Sequence, residues 1–137
     1  EDNILVVAQS MTAAKAKELK IRDGCCFGPV LLMNGVVNDT EFSANSGYNP
    51  RTAIGQRSDG AILMLVIDGR QVNSLGASMS DLIDVMMRYG AVNAANLDGG
   101  SSTTMVFRND KVNSPNNPKR RPLCDIIYFA SAVKPQQ

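Results

Sequence analysis

Histidine is absent from this chain of 137 residues. That absence removes Ser-His-Asp and Cys-His catalysis and most zinc sites. Acid–base chemistry near neutral pH then falls to Asp, Glu, Lys, Tyr or Cys. Glutamate is scarce, at Glu1, Glu18 and Glu41 only, so carboxylate chemistry rests mainly on aspartate. Cysteine is scarce as well, at Cys25, Cys26 and Cys124. These are too few for a disulfide scaffold and lack the spacing of a zinc site. They read as small buried residues, or as one bridge from Cys25 or Cys26 to Cys124 if their strands are neighbours. Long apolar runs are missing, since none approaches the roughly 18 residues that span a membrane. Glu1-Asp2-Asn3 is not the basic start of a signal peptide. Excess charge is missing too: a net charge of +1 gives no global push toward nucleic acid. The short basic run Lys119-Arg120-Arg121 reads as a solvated loop.

What is present suits one domain over residues 1–137, with 44% hydrophobic residues to build a core. Residues 4–8 are an apolar run and predict a strand. Ser10 can cap a helix that runs through Lys20 on alanine propensity. Residues 25–33 predict a buried strand interrupted by Gly28-Pro29, and Asn34-Gly35 signals a hairpin into Val36-Val37. Residues 38–50 are polar and predict a loop. Residues 52–57 and 61–67 predict a hairpin around Asp59-Gly60. Ser78 with Asp81 resembles a capping box. Met79, Leu82, Ile83, Met86 and Tyr89 then recur at helical spacing, and Gly90 ends that helix. Residues 91–97 predict a strand, 103–107 and 111–113 a hairpin around Asn109-Asp110, and 123–130 a closing strand. Hairpins outnumber strand–helix–strand units. The class is therefore α+β, a mixed, largely antiparallel sheet with about two helices packed on it.

Two segments share a pattern that bears on chemistry. Leu63 to Ile67 runs into Asp68-Gly69-Arg70, and Val92 to Leu97 runs into Asp98-Gly99-Gly100. Each places a carboxylate where a rigid strand gives way to glycine, which lets the backbone turn and a ligand approach. Two such carboxylates suit the pair that glycosidic cleavage uses. Asp-Gly is also a common turn dipeptide, and that reading stands beside the functional one. After Asp98 come Ser101-Ser102-Thr103-Thr104, whose amides can form an anion-binding nest. The spacing is not that of a P-loop. Arg51, Arg57, Arg70 and Arg121 lie in or beside loops next to these motifs, and guanidinium forks bind phosphate oxygens in pairs. Ser101 and Ser102 are better read as hydrogen-bonding or capping groups than as nucleophiles, because no histidine or adjacent lysine can serve as their base. Tyr48 could stack on a sugar, whereas Tyr89 and Tyr128 read as core.

Pro50-Arg51-Thr52-Ala53-Ile54-Gly55-Gln56, Val66-Ile67-Asp68-Gly69-Arg70 and Asn96-Leu97-Asp98-Gly99-Gly100-Ser101-Ser102-Thr103-Thr104-Met105 stand in the order and spacing of one family. The chain resembles the C-terminal part of phosphodiester glycosidase domains. Phe27-Gly28-Pro29 with Asn34-Gly35, Val112-Asn113, and Arg121-Pro122 also fit. The resemblance implies hydrolysis of a sugar-1-phosphodiester, α-N-acetylglucosamine-1-phosphodiesters among the substrates, and an extracellular or cell-surface location. It also implies a further segment ahead of Glu1 that pairs with this one, or another chain in its place.

On this reading Asp98 and Asp68 are the catalytic carboxylates. Arg51, Arg70 and Arg121 bind phosphate with the amides of Gly99, Gly100, Ser101 and Ser102. Asn96 orients Asp98 or a sugar hydroxyl. The sequence requires no cofactor. A Ca²⁺ or Mg²⁺ ion held by Asp98 and the phosphate is an alternative, because both ions take oxygen ligands. The partner is a carbohydrate phosphodiester, with no nucleic acid and no membrane span. The rival is a non-catalytic domain that binds carbohydrate or a cell-surface polymer, since a fold does not fix function.

Overall fold

The computed structural model describes residues 3–38, 47–117, 122–123 and 125–130. Its elements in chain order are helix α1 (Ala13–Glu18), strands β1 (Val30–Met33), β2 (Val36–Val37), β3 (Arg51–Arg57) and β4 (Ile62–Ile67), helix α2 (Met79–Arg88), strand β5 (Ala91–Leu97), a 3₁₀ turn (Gly100–Ser102), and strands β6 (Val106–Phe107) and β7 (Asp110–Lys111). The main sheet has the order β2-β1-β5-β3-β4, and β6 pairs with β7 in a separate ribbon. The four pairings of the main sheet are antiparallel. The class is α+β, as the hairpin signals require.

The hairpins form where the turn residues allow them. Asn34 and Gly35 both take positive φ (52° and 78°), the conformation that matches the twist of two paired strands. Helix α2 starts on a capping box. Asp81 N–H donates to Ser78 Oγ at 3.2 Å, and Ser78 N–H donates to Asp81 Oδ2 at 2.8 Å. Met79, Leu82, Ile83 and Met86 form its buried face. They pack on Leu31, Leu32, Ala53 and Ala94 of the sheet, with Leu63, Leu65 and Ile67 partly buried against them. Gly55 lets the helix come this close, since a Cβ there would lie 3.1 Å from Met86 Sδ. On the opposite face of the sheet, Ile62 and Met64 line an apolar cleft of about 480 Å³ with Met105 and Phe129.

Several local expectations are corrected by packing. Residues 4–8 form no strand, because they lie against the Gln56 side chain rather than a strand backbone. Leu5 N–H donates to Gln56 Oε1 at 2.6 Å, and Gln56 Nε2 donates to Asn3 O at 2.8 Å. Thr12, not Ser10, caps α1, and the helix ends at Glu18 without burying a residue. β1 starts at Val30, just past Pro29, which has no N–H to give to a ladder. The late hairpin turns at Arg108-Asn109, one residue before the predicted pair. The described residues of 123–130 carry no strand and are exposed. Tyr89 and Tyr128 are 61% and 73% exposed rather than core. Cys25 and Cys26 are exposed free thiols, and burial of part of the Cys25 side chain pushes its thiol pKa up. Cys124, with any bridge to it, and the run Lys119-Arg120-Arg121 lie outside the described residues.

Candidate active site

Strand order brings the two Asp-Gly turns together. β4 and β5 both run antiparallel to β3, one on each side of it, so both end at the edge where β3 begins. Ile67 pairs with Arg51 and Leu97 with Thr52. The turns at residues 68–70 and 98–100 therefore flank the entry to β3, the segment Asn49-Pro50.

The glycines of both turns make room for that segment. A Cβ at Gly69 would come within 2.7 Å of Pro50 N and of Gly76 Cα, and a Cβ at Gly99 within 2.7 Å of Pro50 O. Gly76, at φ +110°, would place its Cβ 2.5 Å from Asn49 O. Backbone bonds complete the grip. Asn49 and Ala77 exchange two of them, at 3.2 and 2.9 Å, and Gly100 N–H donates to Pro50 O at 2.8 Å. The sequence pattern suggested that these glycines open the backbone to a ligand. The structure uses Gly69 and Gly99 for chain-on-chain packing.

A cleft of about 310 Å³ opens over this grip, lined by Phe27, Asn49, Pro50, Arg51, Arg70 and Asn96 with Leu97, Gly99 and Gly100; Asp98 lies between these last residues in the chain and is not itself part of the lining. Arg51 is half-buried. Its Nε donates to Ala77 O at 2.9 Å and its Nη2 to Gly47 O at 3.0 Å. Arg70 Nε and Nη2 both donate to Asn49 Oδ1, at 3.2 and 2.8 Å. Burial, and then the neighbouring Arg70 guanidinium, pull the Arg51 pKa below its ordinary value. Two like charges thus share one partly desolvated cleft, an arrangement that an anion would relieve. Arg70 also holds a left-handed backbone, φ +56°, which costs a non-glycine residue about 1–2 kcal/mol. Strain of this kind persists only where the surroundings over-determine it. Here Arg70 N–H donates to Leu75 O at 3.1 Å, and the side chain is held by Asn49.

The two aspartates have different surroundings. Asp68 Oδ1 accepts from Asn113 Nδ2 at 2.9 Å, and Oδ2 accepts from Ser114 N–H at 2.8 Å. Its carboxylate ties the first turn to the segment after β7. Asn113, itself buried, also donates to Thr103 O at 3.1 Å and accepts from Met105 N–H at 2.8 Å. Asp98 is half-buried, between the cleft residues Leu97 and Gly99. Ser101 and Ser102 lie in the 3₁₀ turn, where the amides of Ser102 and Thr103 donate to Gly99 O and Gly100 O at 3.1 and 3.3 Å. With the Gly100 amide on Pro50 O, the donors of the predicted nest outside these bonds are the amides of Gly99 and Ser101.

Asn96 is buried. Its backbone N–H donates to Pro29 O at 3.0 Å and its Nδ2 to Gly28 O at 2.7 Å, while Oδ1 is buried with no partner. Arg57 sits at the other end of β3, paired with Asp59 at 2.6 Å, and does not join the cleft. Arg121 lies outside the described residues. Among the described residues no three His, Cys, Asp or Glu side chains gather as a metal cluster. Sequence reasoning did not single out Asn49, which seats Arg70, or the Asn113 hub. The only local signal was an asparagine before proline and another just past a hairpin.

The chain is 34% identical over 112 residues to a SPbeta prophage-derived uncharacterized protein of Bacillus subtilis, covering 80% of this chain and 17% of that protein. A putative exported protein of Burkholderia pseudomallei superposes with a TM-score of 0.50 at 44% identity, over 52% of this chain and 14% of that one. The catalytic domain of zebrafish N-acetylglucosamine-1-phosphodiester α-N-acetylglucosaminidase, auto-inhibited by its pro-peptide, superposes with a TM-score of 0.54 at 25% identity, over 66% of this chain and 35% of that one. The chain thus spans a minor part of each relative's length. No described helix is long and apolar enough to cross a membrane. The sequence profile of the phosphodiester glycosidase family matches residues 1–130, and the chain belongs to that family.

Proposed function

We propose that this chain carries the site of a hydrolase that cleaves sugar-1-phosphodiesters, α-N-acetylglucosamine-1-phosphodiesters among them. The observation that carries the reading is the pairing of Arg51 and Arg70 in one cleft beside the Asp98 turn. The substrate phosphate takes the place between the guanidiniums, with the Gly99 and Ser101 amides and Arg121 as further donors. In the reaction the bond from the anomeric carbon to the phosphate oxygen breaks. The carbon gains the hydroxyl of water, and the released proton passes to a carboxylate. The phosphate monoester departs as a stable anion, so it needs less protonation than an alkoxide. Fixed cations aimed at that developing charge lower the barrier.

Of the two aspartates, Asp98 is assigned the proton-accepting or nucleophilic role. Its neighbours Leu97, Gly99 and Gly100 line the arginine cleft, whereas the Asp68 carboxylate ties its turn to Asn113 and Ser114. A divalent cation shared between Asp98 and the phosphate is a second way to use the same carboxylate. An extracellular or cell-surface setting is part of the reading, supported by the exported relative.

The test is release of sugar and phosphomonoester from a panel of sugar-1-phosphodiesters, with and without chelator, using the full-length protein. Asp98→Asn should stay folded and lose at least about 10²-fold in turnover, the low end for a lost acid–base group. Binding of the panel without turnover would favour the carbohydrate-binding alternative.

A further inference from the structure

We propose that Asn49 is a positioning residue for the substrate phosphate, resting on the sugar-phosphodiester reading of the same cleft. Its side-chain oxygen holds one edge of the Arg70 guanidinium and leaves the end of the fork, with its full charge, to the phosphate. The contact is direct: Arg70 Nε and Nη2 both donate to Asn49 Oδ1, at 3.2 and 2.8 Å. These bonds leave the N–H groups of Nη1 and one of Nη2 unused. They form the end-on fork of the side chain, whose spacing matches two oxygens of one phosphate.

That end is within reach of a ligand. Arg70 is exposed, and Asn49, Arg70 and Gly100 all line the cleft. The guanidinium lies against the turn that follows Asp98, since a Cβ on Gly100 would stand 3.5 Å from Arg70 Nη1 and 3.9 Å from Nη2. The charge is thus delivered beside the carboxylate assigned to the chemistry.

Asn49 is a firm seat for a long side chain. Its backbone exchanges bonds with Ala77 at 3.2 and 2.9 Å. Gly69 and Gly76 pack on it so closely that a Cβ would come within 3.0 Å of Asn49 C and 2.5 Å of Asn49 O respectively. Asn49 Nδ2 donates to Gly47 O at 3.4 Å, which turns the amide oxygen toward Arg70. Holding the arginine in place before the ligand arrives removes an ordering cost from binding. The amide also has an advantage over a carboxylate. A carboxylate would accept the same two bonds, but its charge would offset the cation that the phosphate needs. Among the described residues Arg70 enters no ion pair.

A double-mutant cycle on the full-length protein tests this, with inorganic phosphate affinity read by NMR titration for Asn49→Ala, Arg70→Gly and the two combined. Asn49→Ala should weaken phosphate by at least about 5-fold when Arg70 is present, the factor for one net hydrogen bond. In the Arg70→Gly background the same change should weaken it by less than about 2-fold, because the effect passes through the guanidinium. A merely structural Asn49 would give one factor in both backgrounds, which overturns the assignment, as does no loss in either. A wild type that binds no phosphate overturns the phosphate reading along with it, so the two failures are distinguishable. If Asn49→Ala does not fold, the Arg70 side-chain nitrogen resonances of the wild type decide. On saturation with phosphate the Nη signals should move at least about twice as far as the Nε signal, which stays on Asn49. Unmoved Nη signals, or an Nε shift of equal size, refute the proposal.

Discussion

Replacing Asp68 by asparagine should cost stability rather than chemistry, and the structure supplies the size of the effect. The carboxylate accepts two bonds, from Asn113 Nδ2 at 2.9 Å and Ser114 N–H at 2.8 Å. Asparagine offers one acceptor and one donor, so one of the two partners would face a donor. Asn113 is buried and keeps the carbonyl oxygen, because its own Nδ2 also serves Thr103 O. Ser114 is exposed, so its amide turns to water. One charge-assisted bond, worth about 1.5–3 kcal/mol, is lost and the other becomes neutral. Water recovers part of the Ser114 bond, which leaves a loss of about 1–3 kcal/mol. The Asp68 backbone keeps its own anchor, Ser74 Oγ on the carbonyl at 2.6 Å, so the turn survives. Melting temperature should fall by about 2–8 °C for each kcal/mol. Turnover per folded molecule at low temperature should stay within about 10-fold of wild type, since a misplacement here reaches the site only through packing. An Asp68→Asn protein with wild-type melting and turnover down by about 10²-fold or more would refute the reasoning and return Asp68 to the chemistry.

Gly69→Ala and Gly99→Ala should each destabilise by about 1–3 kcal/mol in urea unfolding, because the new Cβ meets backbone atoms of Pro50 that no rotamer change can move. Gly24→Ala, with nothing within 4 Å, is the control and should stay within about 0.5 kcal/mol. Arg70→Gly should change stability by less than about 1 kcal/mol, since relief of the left-handed strain offsets the extra freedom of glycine in the unfolded chain. The same change should weaken inorganic phosphate binding by about 10-fold or more in calorimetry, the loss for a hydrogen bond to a charged group. Asp81 has its pKa lowered by hydrogen bonds from the Ser78 side chain and backbone. A depressed folded-state pKa contributes stability above the ordinary carboxylate value of about 4, and that contribution is lost as pH falls through the folded value. The melting-temperature gap between wild type and Asp81→Ala should therefore be full at neutral pH and shrink below about pH 4. A gap independent of pH would remove the cap from the account.

Features written within a few residues were decided by the sequence alone. The Asn34-Gly35 turn, the Ser78–Asp81 capping box, the buried stripe of α2 and the end of β5 before Asp98 each depend on φ preference or on partners at most four positions away, so they could be read without the fold. The absence of histidine fixed the range of usable chemistry in the same direct way. What the tertiary structure decided is everything whose partner lies far along the chain. The bonds of Asp68 cross 45 and 46 positions to Asn113 and Ser114. Gly69 and Gly99 lie against Pro50, and Arg51 meets Arg70 only because β4 and β5 flank β3. The apolar runs at residues 4–8 and 123–130 look like strands by local preference, yet a strand needs a neighbouring backbone to pair with. Only the three-dimensional arrangement determines whether that neighbour is there.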